Sequence, residues 1–375
     1  MATTNPGQLE VHVIGADEGE SIVLRLPNDE WGVVDCCASS LKDQSSNPTL
    51  LFLESRNVQR LAFICMTHPH ADHFRGMSQL LSKYLVDFFL LPGAMTGEEL
   101  RLILEHESFD AMKAGARERQ ENVSELKNIF RQVKIQKTAN GRPMIPKKAC
   151  TGTILYPSPI DQTAKLQVTA LSPSTRQAIR YESKLKDCFD SNGRLVSKLK
   201  PSDHNVISIA LLVVFGKTRV VLSGDVEKGG WSDLLEEFEP AQLSCHAVKI
   251  SHHGSSNGYC SHLWATFARE RNPISVLTPF NRHRLPRREA LQHIRPFVSR
   301  ISCTCLSGLD EKEVRVPLSV NEPAASRAAL RQIMGARNKP KPAHGRCAFV
   351  FDDEGNCVSA DFDGEAGDIA PEWHV

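Results

Sequence analysis

"FICMTHPHADHFRGM", residues 63–77, decides how the rest of the chain is read. An apolar run ends near Thr67, and His68, His70, Asp72 and His73 then fall within six positions. Imidazole nitrogens and carboxylates are ligands that suit zinc, manganese or iron. His68 and His70 are two residues apart, so an extended segment points both to one side. Asp72 and His73 lie just past the strand end, where the chain turns, and reach the same pocket from another direction. A lone histidine reads as packing; four ligand-type groups at a strand end read as a metal site. Beyond them "GMSQLLSKYL" resumes at helical spacing, with Met77, Leu80, Leu81 and Leu85 on one face. The cluster therefore falls on a strand-to-helix loop, where a rigid scaffold displays chemistry.

Toward the N-terminus, "LEVHVI", "SIVLRL" and "WGVVDCC" read as two or three antiparallel strands joined by short turns. Residues 48–59 read as a short helix, and "RLAFICMTH" as a strand buried on both faces. Past the cluster, a charged helical insert at about 97–133 reads as two helices with a break near Asn122. A solvated amphipathic pair is its simpler reading; a lid or a surface for a protein partner is the other. "GRPMIPKKACTG" reads as a loop, "GTILYPSP" and "LQVTALSPS" as strands, and residues 174–203 show no usable period. "NVISIALLVVF", "GKT" and "RVVLSGD" form a hairpin pattern. Strands in "CHAVKISHHGSS" and "RNPISVLTPF" alternate with helices in "GGWSDLLEEF" and "RREALQHIRPF". "CAFVFDDEGNCVSADF" reads as a terminal hairpin turning at Glu354–Gly355. No repeat of solenoid period is present. The pattern predicts a layered α/β domain over residues 1–320. Residues 321–375 are expected to form a C-terminal extension with the terminal hairpin, packed on the same domain.

Composition narrows the class. At 375 residues with 41% hydrophobic content, a large core is available. A net charge of +1 excludes a strongly basic nucleic-acid coat protein but not a local basic groove. The N-terminus has no secretory pattern, and no apolar run reaches the ~20 residues of a membrane helix. The expected compartment is the cytoplasm, with no membrane association. Eleven cysteines in irregular spacing, without a CxxC pair, fit that and give no cysteine metal site. Neither a P-loop, a GxGxxG turn nor a GxSxG elbow occurs.

"THPHADHFRGM" is similar to the HxHxDH signature of the metallo-β-lactamase superfamily, whose fold is a four-layer αββα sandwich with metals at one edge of two sheets. Other motifs occur in the order of that family: "WGVVDCC" with Asp35, His204 ahead of a hairpin, "VVLSGDVE" with Asp225, and "VKISHHGS" with His252 and His253. The resemblance covers roughly residues 9–300. "GADEGESIVLRLP", "HNVISIALLV", "LSGDVEKGGW" and "KISHHGSSNG" resemble the soluble hydrolase domain of the ComEC competence proteins and their stand-alone relatives. Departures exist. The usual Asp-Val-Gly-Gln-Gly-Asp opening is here Gly15-Ala16-Asp17-Glu18-Gly19-Glu20, and Leu285 stands where a histidine is common, so that either His283 takes over or specificity has changed.

The resemblance implies two divalent ions, zinc first and manganese second, sharing a water whose pKa falls from about 16 to near 7. It implies His68, His70 and His204 on one ion, and Asp72, His73 and a histidine of the HHGS motif on the other. Asp225 would bridge them. His252, first off the strand, is favoured as that ligand, leaving His253 to line the pocket and act in catalysis. Asp72 would also orient the nucleophile or pass on its proton. Asp35 either holds the tautomer of a ligand histidine or merely caps a strand. The other histidines, among them His12, His106, His246, His262, His293, His344 and His374, read as structural or surface residues.

For the substrate, Arg282, His283 and Arg284, with Arg287 and Arg288 behind them, crowd the expected substrate edge. Guanidinium groups suit phosphate oxygens; a solvated helix start is the plainer reading. Lys217, Lys228 and Lys249 are further candidates. The leading expectation is a phosphodiesterase or nuclease acting on DNA or RNA. Hydrolysis of a small phosphodiester, ester or lactam follows. A non-catalytic binding or effector module of a multi-protein complex, such as a phage-defence system, is the alternative of a different class. The C-terminal "GARNKPKPAHGR" reads as a linker.

Overall fold

A computed structural model describes residues 7–15, 19–95, 101–106, 117–138, 141–157, 165–310 and 344–370. Two eight-stranded sheets face each other. The first runs β15 (Cys357–Asp363), β14 (Gly345–Phe351), β1 (Leu9–Gly15), β2 (Glu20–Arg25), β3 (Trp31–Val34), β4 (Arg60–Cys65), β5 (Leu85–Pro92) and β6 (Lys147–Ala149). The second runs β16 (Gly367–Asp368), β13 (Arg300–Cys303), β12 (Ile274–Leu277), β11 (Ala247–Lys249), β10 (Thr218–Leu222), β9 (Leu211–Phe215), β8 (Leu166–Ala170) and β7 (Ile154–Tyr156).

The period-2 alternation of strands builds three apolar layers at once. Ile22 and Leu24 of β2 join Val220 and Leu222 of β10 in the layer between the sheets. Val23 faces the other way, toward Leu50, Leu80, Ile129 and Tyr181 on the helices Pro48–Ser55, Met77–Lys83, Arg117–Ile135 and Thr175–Lys186. On the far side Val221 meets Trp231, Trp264 and Leu291 of Lys228–Glu237, Ser261–Phe267 and Arg288–Ile294. Strands buried on both faces thus sit between two helical layers. This is the four-layer αββα architecture that the motifs imply.

Strand direction places the site. β3, β4, β5 and β6 are parallel, as are β10, β11, β12 and β13. Asp35, His68, Asp225, His252 and Thr278 each follow shortly after the last residue of β3, β4, β10, β11 and β12. All therefore emerge at the carboxyl edge, where parallel α/β sheets present ligands.

Several elements differ from expectation. Residues 101–106 are helical, and the helix Arg117–Ile135 runs through Asn122 without a break. It buries Leu126, Ile129 and Val133. Its Glu125 accepts the Gly76 and Ser78 amides at 3.1 and 3.0 Å and the Ser78 hydroxyl at 2.7 Å. A carboxylate there satisfies the first amides of Met77–Lys83, which otherwise have no partner. The insert thereby clamps the end of the histidine loop. Leu85 is not on that helix face: the helix ends at Lys83, and Leu85 opens β5 with 55% exposure. "GRPMIPKKACTG" contains β6, and the stretch from residue 174 holds a helix whose N-cap Ser174 and Gln177 form a capping box. β14 pairs antiparallel with β1 along seven residues, so the terminal hairpin extends the first sheet. Asp17, Glu18, His374 and most of the proposed linker lie outside the described residues.

Candidate metal centre

The chain after β4 leaves the sheet extended and turns into the short helix Ala71–Phe74 with His70 at its N-cap. That turn sends Asp72 and His73 back over the sheet edge. Gly19 makes room for it: at φ +94°, a Cβ there would lie 2.6 Å from the Asp72 carbonyl oxygen. Gly224 serves Asp225 the same way, since a Cβ would meet the Ser208 hydroxyl at 2.6 Å.

Among the described residues three groups of ligand-type atoms converge, each within 4.8 Å of one another; Glu20, Asp35 and His73 form one on the Nδ1 side of His73, and two more share Asp225. Of those two, the first is His68, His70 and Asp225; the second is Asp72, His73, Asp225 and His253. Asp225 is common to both because its two oxygens face opposite ways. Its Oδ1 lies 3.4 Å from His73 Nε2 and 3.8 Å from His253 Nε2. Its Oδ2 lies 3.9 Å from His68 Nε2 and 3.9 Å from His252 Nε2. Asp72 Oδ2 completes the second group, 3.3 Å from His253 Nε2 and 3.6 Å from His73 Nε2.

The second group has the donor chemistry of a cation site. His73 Nε2, His253 Nε2 and Asp225 Oδ1 are buried without a hydrogen-bond partner. Leaving such atoms unpaired costs about 1–3 kcal/mol each, so convergence of three on one point calls for a shared partner. Zinc binds nitrogen and oxygen at about 2.0–2.2 Å, which puts tetrahedral ligands roughly 3.3–3.6 Å apart. The observed spacings, 3.3–3.8 Å, come close to this range. Electrostatics agree: burial opposes it, yet the carboxylates of Asp225, Asp72 and Asp35 hold His73 well above its ordinary pKa. His70, by contrast, is pushed down to about 4 by burial and then by the His204 ring.

The protein fixes both histidines from behind. Asp35 Oδ2 lies 2.7 Å from His73 Nδ1, and its oxygens also accept the Thr67 amide at 2.8 Å and the Thr67 hydroxyl at 2.7 Å. A carboxylate on Nδ1–H leaves the Nε2 lone pair facing the cluster. Thr278 does this for His253, whose Nδ1 lies 3.1 Å from the Thr278 carbonyl and 3.0 Å from its hydroxyl. Replacing Asp35 with alanine is expected to lower zinc affinity about 10–100-fold. Competition with a chromophoric chelator measures this, and wild-type affinity would reduce Asp35 to a strand-end cap.

Which of the paired histidines enters the cluster differs from the expectation. His252 and His253 adopt φ +50° and +51°, so the chain stops being extended before it reaches them. Left-handed backbone at non-glycine residues is uncommon and clusters at functional sites. The result turns His253 inward and fully buries it, while His252 keeps 21% of its side chain exposed and lies 3.5 Å from Glu227. His204 lies beside the first group without entering it. Its ring is 5.5 Å from His70, and its Nδ1 is 2.9 Å from the Tyr181 hydroxyl.

The basic residues do not join the cluster. Phe280 and Leu285 exchange backbone hydrogen bonds of 3.1 and 3.0 Å, closing a tip of four residues. Arg282, His283 and Arg284 are exposed on it, and Phe280 at its base stacks on His253 at 5.3 Å. Leu285 is buried, so His283 is the histidine on this tip, 5.1 Å from Phe280. Arg282 also pairs with Glu118 of the insert helix at 2.8 Å. Lys249 is no surface group: it is 1% exposed and paired with Glu20 beneath the cluster. Lys217 pairs with Glu354 at the turn of the terminal hairpin. Thr67, Tyr181 and Thr278 also support the centre and Glu20 lies beneath it, and sequence reasoning missed all four. Only Glu20 left a signal, standing where the related motif carries an acid.

No protein-family profile and no curated protein matches the chain. Solved structures offer distant likenesses. Zinc-bound PqqB from Methylobacterium extorquens shares 12% identity over 62% of this chain and 59% of that one, at TM-score 0.30. A diphosphatase of the PhnP family shares 10% over 74% and 90%, at 0.32. A mutant of CmlA β-hydroxylase shares 14% over 67% and 36%, at 0.31. The match thus spans less than two thirds of PqqB. Likenesses this remote decide nothing about chemistry, which rests on the side chains described.

Proposed function

We propose that the chain is a metal-dependent hydrolase of phosphodiesters, with DNA or RNA as its substrate. The convergence of unpartnered, buried His73 Nε2, His253 Nε2 and Asp225 Oδ1 beside Asp72 carries this reading. Asp72, His73, Asp225 and His253 would hold one ion; His68, His70 and the other oxygen of Asp225 would hold a second, with His204, whose ring is 5.5 Å from that of His70, to complete it. Zinc suits these nitrogen and oxygen donors, and manganese is the second choice. Bound divalent cations there supply acidified water and neutralise charge on the substrate oxygen.

The chain's own groups divide the remaining work. Asp72 is the less buried of the two cluster carboxylates, with 16% of its side chain exposed. It would accept a proton from an entering nucleophile. Arg282, His283 and Arg284, exposed on the tip whose base stacks on His253, would donate to phosphate oxygens, because guanidinium binds them in a bidentate fork. A cationic tip beside the centre favours an anionic diester over a neutral ester. The four donors Asp72, His73, Asp225 and His253 speak for turnover rather than for a bare binding module.

Bis-p-nitrophenyl phosphate, single-stranded DNA, duplex DNA and RNA, each with zinc or manganese, form the test. Hydrolysis of the diester and of at least one nucleic acid is expected, and activity confined to neutral esters would overturn the assignment. Replacing Arg282 and Arg284 with alanine is expected to raise KM about tenfold for nucleic acid, with kcat little changed. The salt slope of binding should fall by about one for each phosphate that the tip no longer holds. Among the described residues, no helix is long and apolar enough to cross a membrane.

A further inference from the structure

Beneath the centre lies an ion pair that the proposed chemistry does not use. Lys249 leaves β11 and points its ammonium at Glu20 Oε2, with the Gly224 carbonyl at 3.2 Å and Asp225 Oδ1 at 4.0 Å. Both side chains are essentially inaccessible. Glu20 sits behind the two histidines of the second group: Oε1 is 3.8 Å from His73 Nδ1, and Oε2 is 3.7 Å from His253 Nδ1. Thr278 donates to the same Oε2 at 2.9 Å, and Oε1 is without a hydrogen-bond partner.

Stability does not explain such a pair. Desolvating two charges costs about as much as their attraction returns, and apolar replacement of both is often neutral. Charge balance does explain it. Glu20, Asp35, Asp72 and Asp225 crowd the cluster, and Lys249 is the lysine or arginine that ion-pairs among them within the described residues. We propose that Lys249 is a specificity-determining residue: a fixed cation behind Asp225 that offsets Glu20 and keeps the loaded centre attractive to a phosphate anion. This deepens the hydrolase reading above and rests on it. Asp35 and Thr278, not Glu20, hold the two imidazoles; Lys249 offsets the negative charge that Glu20 would otherwise add beneath the substrate.

The test compares wild type, Lys249→Met and the double variant Glu20→Gln with Lys249→Met. The double variant removes both charges and so keeps the local balance. Two readouts are taken on zinc-loaded protein of verified metal content. One is calorimetric binding of inorganic phosphate. The other is the kcat/KM ratio between bis-p-nitrophenyl phosphate and neutral p-nitrophenyl acetate. Lys249→Met is expected to weaken phosphate binding about tenfold or more, the order a unit charge exerts through protein at this range, and to shift the ratio toward the neutral ester. The double variant should stay within about threefold of wild type, and that value decides the matter if Lys249→Met does not fold. Wild-type phosphate binding in Lys249→Met, or a double variant as impaired as the single, would overturn the inference. If neither ester is turned over, the hydrolase reading fails, while calorimetry still judges Lys249.

Discussion

Replacing Asp225 with asparagine is expected to lower kcat/KM by at least about 10³-fold, the upper end of what removing one charge-stabilising group costs. The side chain is 2% exposed and is shared by both ligand groups, Oδ1 toward His73 and His253, Oδ2 toward His68 and His252. Asparagine keeps its shape and its backbone, whose amide donates to the Ser208 hydroxyl at 2.9 Å. What disappears is the negative charge and the second anionic oxygen. Zinc per chain should fall along with activity, because both groups lose a ligand. Turnover and metal content within tenfold of wild type would separate Asp225 from the chemistry. A thermal melt in the presence of a chelator checks that the fold itself is retained.

The second large effect is an asymmetry between neighbours. His253→Ala should lose about 10²-fold or more in kcat/KM and about one zinc per chain, whereas His252→Ala should lose less than tenfold. The reasons are local. His253 is fully buried, its Nδ1 is fixed by Thr278, and its free Nε2 faces Asp72 and Asp225. His252 is partly exposed and, among the described residues, has Glu227 and the outer oxygen of Asp225 as the acidic groups within 4 Å. Steady-state kinetics with metal analysis on both variants decides it. Equal losses, or the reverse order, would mean that the inward-turned backbone at residue 253 does not set the ligand.

Much of this centre was legible because its ligands are local. His68, His70, Asp72 and His73 announce themselves within six positions, and the period of the flanking strands predicted sheets buried on both faces. Reading failed where geometry departs from the extended chain. Order along the strand favoured His252, but two consecutive residues in left-handed backbone reverse which ring points inward. The helix Thr175–Lys186 was hidden by polar composition, although Ala178, Tyr181 and Leu185 carry its buried face. Leu85 looked helical because its spacing continues a helix that in fact ends at Lys83. Contacts between distant residues left no trace in the pattern: Glu20 and Thr278 are 258 residues apart and meet only once both sheets are stacked. A buried lysine such as Lys249 reads as a surface group until its partner is known.

Crystals grown with zinc and measured at its absorption edge give the most direct test of the metal centre. The expected anomalous map has one peak enclosed by Asp72, His73, Asp225 and His253 and another beside His68, His70 and Asp225. A map without a peak at the first of these positions, from crystals in which zinc is seen elsewhere, would contradict the assignment.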